Sequence, residues 1–181
     1  MEFVLREGNF VHVLAVLILL SRLGDVGSTL LVTPNLVLEA NPVARRFRRP
    51  TFIVGFMLAL VPYYDLGVGI MVLVPSVLVT AHNLGRGWLA STLGEMEMMA
   101  LLKSAARRSS RRKALTFTLS SAAATALAGV VLLSISGGGD HPSSWFALGI
   151  LAYAGAMAFH GSLFVIRIFH QARLGDGVGA G

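Results

Sequence analysis

Long apolar stretches alternating with clusters of arginine constrain this chain more than any other feature. About twenty apolar residues is the length that carries a helix across a hydrocarbon core of about 30 Å. The first such stretch covers 10–32, with Arg22 and Asp25 inside it. The next, 51–84, is too long for one ordinary span and is broken by the turn-forming series Pro62, Tyr63, Tyr64, Asp65, Leu66, Gly67. Two cleaner stretches, 114–136 and 145–168, flank the loop Gly137, Gly138, Gly139, Asp140, His141, Pro142. The reading is an all-α integral membrane helical bundle, one domain over 1–181. Its segments are 10–32, 48–64, 67–84, 114–136 and 145–168.

Composition agrees. Of the 181 residues 55% are hydrophobic and 13% charged, whereas a soluble domain carries about a quarter charged residues. The surplus apolar surface needs a bilayer. A net charge of +6 raises nucleic-acid binding as a class, but the basic residues sit beside apolar segments, where they orient helices and meet headgroups. The expected partners are therefore the lipid bilayer and other membrane subunits, with no nucleic acid. No cysteine is present, which excludes disulfides, thiolate nucleophiles and cysteine-held metals. Around the first stretch Glu2 and Glu7 offset Arg6 and no small-residue cleavage site follows closely, so it reads as a retained helix rather than a secretory signal.

Charge predicts the path. Arg45, Arg46, Arg48 and Arg49 precede the second stretch; Arg86, Lys103, Arg107, Arg108, Arg111, Arg112 and Lys113 follow it. Cationic loops stay in the cytoplasm, so 51–84 crosses an even number of times. Two crossings put Asp65 and the glycine loop outside and return Arg167 and Arg173 to the inside. The expected location is the cytoplasmic membrane, N-terminus outside and C-terminus in the cytoplasm. As an α-helix, 50–64 rises only about 22 Å. It either starts earlier with Arg48 and Arg49 snorkelling, or belongs to a re-entrant hairpin.

Small residues are expected at helix contacts: Thr125, Ala122, Ala126 and Gly129 in the fourth segment; Gly149, Ala152, Gly155 and Ala156 in the fifth. The segment 88–106, with Glu95, Glu97, Lys103 and several methionines, reads as a helix. It either continues the third span, lies in the inner interface, or forms a solvated connector.

The candidate site is a polar cluster in the inner half: Arg22, Asp25, Ser28, Thr29, Glu39, Asn41, His82 and Asn83. Ionisable groups at membrane depth are costly, face protein and are paired. Arg22 and Asp25, three apart, share a helix face and form an expected ion pair; Thr29, four beyond Asp25, extends that face. Pro42 is expected to hold an extended turn after Asn41. Asp25, Glu39, Asn41, His82 and Asn83 are expected to line one pocket.

The spacing Asp25, three residues, Thr29, then Glu39-Ala40-Asn41-Pro42 resembles a pattern in small uncharacterised bacterial and archaeal multi-spanning membrane proteins. It covers the first third of the chain. An asparagine near the end of a later helix accompanies that pattern, and Asn83 matches it. The resemblance implies a fold neighbourhood and a polar motif, not a reaction.

Three functional readings follow. The first is an accessory or assembly subunit held together by the inner cluster. The second is a metal-dependent hydrolase or transferase acting on a lipid or membrane peptide, its divalent metal held by Asp25, Glu39, His82 and His160. The third is a haem b electron-transfer protein using His82 with His160 or His170. No zinc-helix motif, nucleophile elbow, phosphate loop or dinucleotide fingerprint is present.

Overall fold

The computed structural model describes residues 2–139 and 141–174. The side chains of Glu2, Arg6, Glu7, Arg48, Arg49 and Arg86, and all of Asp140, lie outside the described residues. Those that are described form helices and connections without a strand: α1 (Glu2–Val32), α2 (Pro42–Arg46), α3 (Arg48–Met57) running into a 3₁₀ helix (Leu58–Tyr63), α4 (Leu66–Leu93), α5 (Glu95–Arg108), α6 (Arg111–Ile135) and α7 (Pro142–Leu174). The all-α bundle is as expected.

Four stretches among the described residues are long and apolar enough to cross a membrane: Asn9–Val32, Leu66–Gly85, Arg111–Ile135 and Pro142–Leu174. Phe52–Tyr63 is a shorter apolar helix. Local signals set the boundaries. The Asp65 carboxylate caps α4 by accepting from the Val68 amide at 2.8 Å, and the Ser110 hydroxyl caps α6 by accepting from the Lys113 amide at 3.2 Å. Gly94, at φ 81°, ends α4 where a side chain would be strained. The expected helix over 88–106 is thus two helices: its first part extends α4, and the chain turns at Gly94 into α5.

Contacts give the directions. Leu14 meets Gly69, Gly24 meets Thr80 and Val32 meets Gly87, so α1 and α4 run parallel. Trp145 covers Gly67, and Gly149 packs on Met71 and Val74, so α7 runs parallel to both. Gly129 faces Leu151 and Gly161 faces Thr118, so α6 runs the other way. Parallel α1 and α4 require the chain between them to return to its starting level. It does: Gly55 lies beside Arg22, and the Tyr63 hydroxyl is 2.9 Å from His12 Nδ1. Pro62 lacks the amide an α-helix needs there, and the 3₁₀ geometry it accompanies stretches the element. With a 3₁₀ rise of about 2.0 Å per residue, α3 and the 3₁₀ helix together advance about 27 Å.

Every described lysine and arginine side chain except Arg22 consequently lies at one end of the bundle, the arginine end. Leu14, Ile18 and Ile70 form a core toward the glycine-loop end; Met99, Ala106, Ile168 and Ala172 form another at the arginine end, tying α5 to α7.

The small-residue contacts are selective. Ala122, Gly129 and Gly149 are buried, whereas Ala152, Gly155 and Ala156 are exposed. Pro75, inside α4, supplies no amide to the Met71 carbonyl. A Cβ at Gly149 would stand 3.0 Å from that oxygen and 2.7 Å from Val74 Cβ, so only glycine fits.

Candidate functional site

The polar cluster begins as a seam between α1 and α4. Arg22 Nη1 donates to Asp25 Oδ2 at 3.2 Å, with both side chains about four-fifths covered. One turn on, the Ser28 hydroxyl donates to the Asp25 carbonyl at 3.0 Å. The Asn83 amide crosses from α4, donating to Ser28 Oγ at 3.3 Å and Thr29 Oγ1 at 3.0 Å. The Thr80 hydroxyl donates within α4 to the Ser76 carbonyl at 2.8 Å and lies 3.4 Å from the Ser21 carbonyl of α1 across the seam. The seam follows from the parallel path, which brings 28–29 level with 83.

Beyond α1 the loop 33–41 is clamped from two sides by residues distant in sequence. Glu95, buried at the start of α5, accepts from the Thr33 hydroxyl, from the Asn35 amide at 3.0 Å and from the Val37 amide at 2.5 Å. Burial pushes its carboxyl up, but the bonds from Thr33, Val37 and Asn35 outweigh that and hold it below the usual glutamate range. The Thr33 oxygen also accepts from the Leu38 amide at 3.0 Å. Leu36 takes φ 56°, a conformation costly for a branched side chain and sustained by these bonds. On the other side Arg167 of α7 donates to the Val37 carbonyl at 2.9 Å and the Glu39 carbonyl at 3.1 Å, its guanidinium 4.9 Å from the Phe164 ring centre. An anion thus satisfies two of the loop's amides and a cation two of its carbonyls.

Glu39 and Asn41 close the loop. Glu39 Oε1 accepts from the Asn41 amide at 2.7 Å, and Asn41 Oδ1 accepts from the Val43 amide at 2.9 Å. Asn41 therefore caps α2, which begins at Pro42. The expected extended turn after Asn41 is a helix start instead, because proline's missing amide costs nothing in a first turn.

Between loop and seam lies a cavity of about 140 Å³, lined by Thr29, Thr33, Glu39, His82 and Asn83 with an apolar remainder that includes Leu38 and Met98. Three of the five expected pocket residues line it: Glu39, His82 and Asn83. Asp25 and Asn41 do not. Asp25 is engaged one level up with Arg22, within electrostatic reach of Glu39, and Asn41 is spent on the α2 cap.

The metal set Asp25, Glu39, His82 and His160 is not gathered: among the described residues no three His, Asp or Glu side chains form a group that could hold a metal ion. Of the haem candidates only His82 lines this cavity; His160 and His170 do not. Its volume is well below the roughly 300–1,000 Å³ of ligand pockets, too little for a haem.

Thr33, Glu95 and Arg167 are the residues that sequence reasoning left out of the site. The available signal was composition: Glu95 and Glu97 are carboxylates within an otherwise cationic stretch, directly after a helix-breaking glycine.

No family model, curated protein or solved structure matches the chain. The apolar helices fit a small membrane protein.

Proposed function

We propose that the chain is a small polytopic protein of the cytoplasmic membrane, crossing five times with its N-terminus outside and its arginine end in the cytoplasm, and that it serves as an accessory or assembly subunit. In this reading the short α3 and 3₁₀ element is the second crossing. The parallel run of α1 and α4 supports it, together with the gathering of cations at one end. The kinship with small bacterial and archaeal membrane proteins belongs to the same proposal, the bond between Thr29 and Asn83 joining two of the pattern's residues.

One observation carries the subunit assignment. Three carboxylates of the inner half are held by the chain itself: Asp25 by Arg22, Glu39 by the Asn41 amide, Glu95 by the loop it clamps. Groups so engaged brace a surface. The braced element, 33–41, faces the cytoplasm, where a partner subunit can dock on a rigid loop.

The enzyme reading has one observation behind it, the cavity that places Glu39 and His82 together. A carboxylate and an imidazole there can move a proton on a small substrate entering from the cytoplasm. Elemental analysis and an absorption spectrum of the purified protein, with native electrophoresis of mild-detergent extracts, separate the readings. The subunit reading expects no stoichiometric metal, no Soret band and migration above the isolated chain. One zinc or iron per chain, a Soret band, or migration as the isolated chain overturns it.

A further inference from the structure

The arginine end holds a second and larger cavity, about 720 Å³, where the end of α5, the start of α6 and the end of α7 meet. Arg107, Arg111, Arg112 and Arg173 surround it, and Leu115 and Phe169 give it an apolar wall. It shares no residue with the polar cluster. Arg107 Nε donates to the Ala172 carbonyl at 3.3 Å, which fixes its guanidinium at the end of α7. Arg111, Arg112 and Arg173 have no carboxylate partner among the described residues.

This arrangement is electrostatically unfavourable by itself. The first turn of α6 reads Arg111, Arg112, Lys113 with no acidic residue, yet a helix N-terminus carries partial positive charge and favours anions. Arg173 and Arg107 bring further like charge to the same space. An anion from outside the chain relieves both conflicts, and guanidinium groups suit phosphate oxygens. The apolar wall discriminates between sources. Free phosphate has no use for Leu115 and Phe169, whereas a phospholipid sets its headgroup among the cations and its glycerol and first methylenes against that wall. Depth agrees, since the cavity sits where the apolar runs of α6 and α7 give way to arginine, and basic pockets between helices at that level suit anionic headgroups.

We propose that this cavity binds the phosphate headgroup of an anionic phospholipid. The proposal rests on the membrane reading above but not on which side the arginine end faces. The full-length protein in detergent is given equimolar phosphatidylglycerol and phosphatidylcholine, and retained lipid is measured by native mass spectrometry. The expected result is preferential retention of phosphatidylglycerol, reduced about tenfold or more in the triple variant Arg111→Gln, Arg112→Gln, Arg173→Gln. The matched variant Arg45→Gln, Arg46→Gln, Arg108→Gln removes the same charge from exposed positions at the same end but outside the cavity. It should retain the lipid. All three cavity positions are exposed, so folding should survive; if thermal melting shows otherwise, Arg173→Gln alone should lower retention about fivefold. Equal loss in both triple variants, no preference for phosphatidylglycerol, or displacement of the lipid by millimolar inorganic phosphate overturns the proposal. Labelling experiments on orientation read the membrane topology separately, so the two can fail independently.

Discussion

Asn83 of α4 donates to Thr29 Oγ1 of α1 at 3.0 Å, joining two helices that run in the same direction. Its amide also reaches Ser28 Oγ, so one side chain satisfies two hydroxyls in the seam. Interhelical hydrogen bonds of this kind are worth about 0.6 kcal/mol on average and up to about 2 kcal/mol. Asn83→Leu should therefore cost about 1 kcal/mol, read as a lower unfolding midpoint in detergent. An unchanged midpoint means the bond holds nothing together.

The Arg22–Asp25 pair gives a sharper test, because removing one partner leaves the other covered and unmatched. Asp25→Ala should lower the folded yield severalfold. Adding Arg22→Leu should restore part of it, since no orphan charge then remains. If the double variant folds no better than the single one, the pair does not explain the presence of Asp25.

Acid should release the loop through Glu95. The folded carboxyl lies below its ordinary range, so its stabilisation is fully present above the unfolded value of about 4.3 and is lost as pH falls through the lower folded value. Hydrogen bonds to a charged group contribute about 1.5–3 kcal/mol. Glu95→Gln should therefore destabilise the protein by about 2 kcal/mol at neutral pH and speed hydrogen exchange at Asn35 and Val37. The parent should approach the variant only at acid pH. A gap between the two that stays constant from pH 7 to acid contradicts the clamp.

Gly149 and Gly155 lie on the same helix and separate packing from composition. A Cβ at Gly149 would meet Val74 Cβ at 2.7 Å and the Met71 carbonyl at 3.0 Å, while nothing lies within 4 Å of one at Gly155. Overpacking costs about 1–3 kcal/mol. Gly149→Val should lower the melting temperature clearly and Gly155→Val should not. Equal effects would place the contact between α4 and α7 elsewhere.

These contrasts mark what the sequence could convey. Apolar length located the four long helices, since a run such as 114–136 is long enough to cross a hydrocarbon core as one helix. Three-residue spacing was enough for the Arg22–Asp25 pair, and the pattern containing Thr29 drew attention to Asn83. The clamp on 33–41 was not legible, because Glu95 and Arg167 reach Val37 across 58 and 130 positions. Contacts at that separation leave no periodicity. The expected pocket erred for a related reason: Asn41 and Asp25 have local partners within three residues, and a local partner at hand removes a side chain from any shared site. Nor could small size alone distinguish Gly149 from Gly155, which are equally apolar and differ only in what approaches them.

On the proposed topology the arginine end faces the cytoplasm, and five crossings bring it there. Cysteine labelling tests it directly, since the natural chain has no cysteine to give background. Phe47→Cys and Ser109→Cys mark the arginine end; Tyr64→Cys, at a position 90% exposed, and His141→Cys mark the other. A membrane-impermeant maleimide applied to intact cells should label positions 64 and 141, and should reach 47 and 109 only after permeabilisation. Labelling of 47 or 109 in intact cells contradicts the orientation, and protection of 64 contradicts the second crossing.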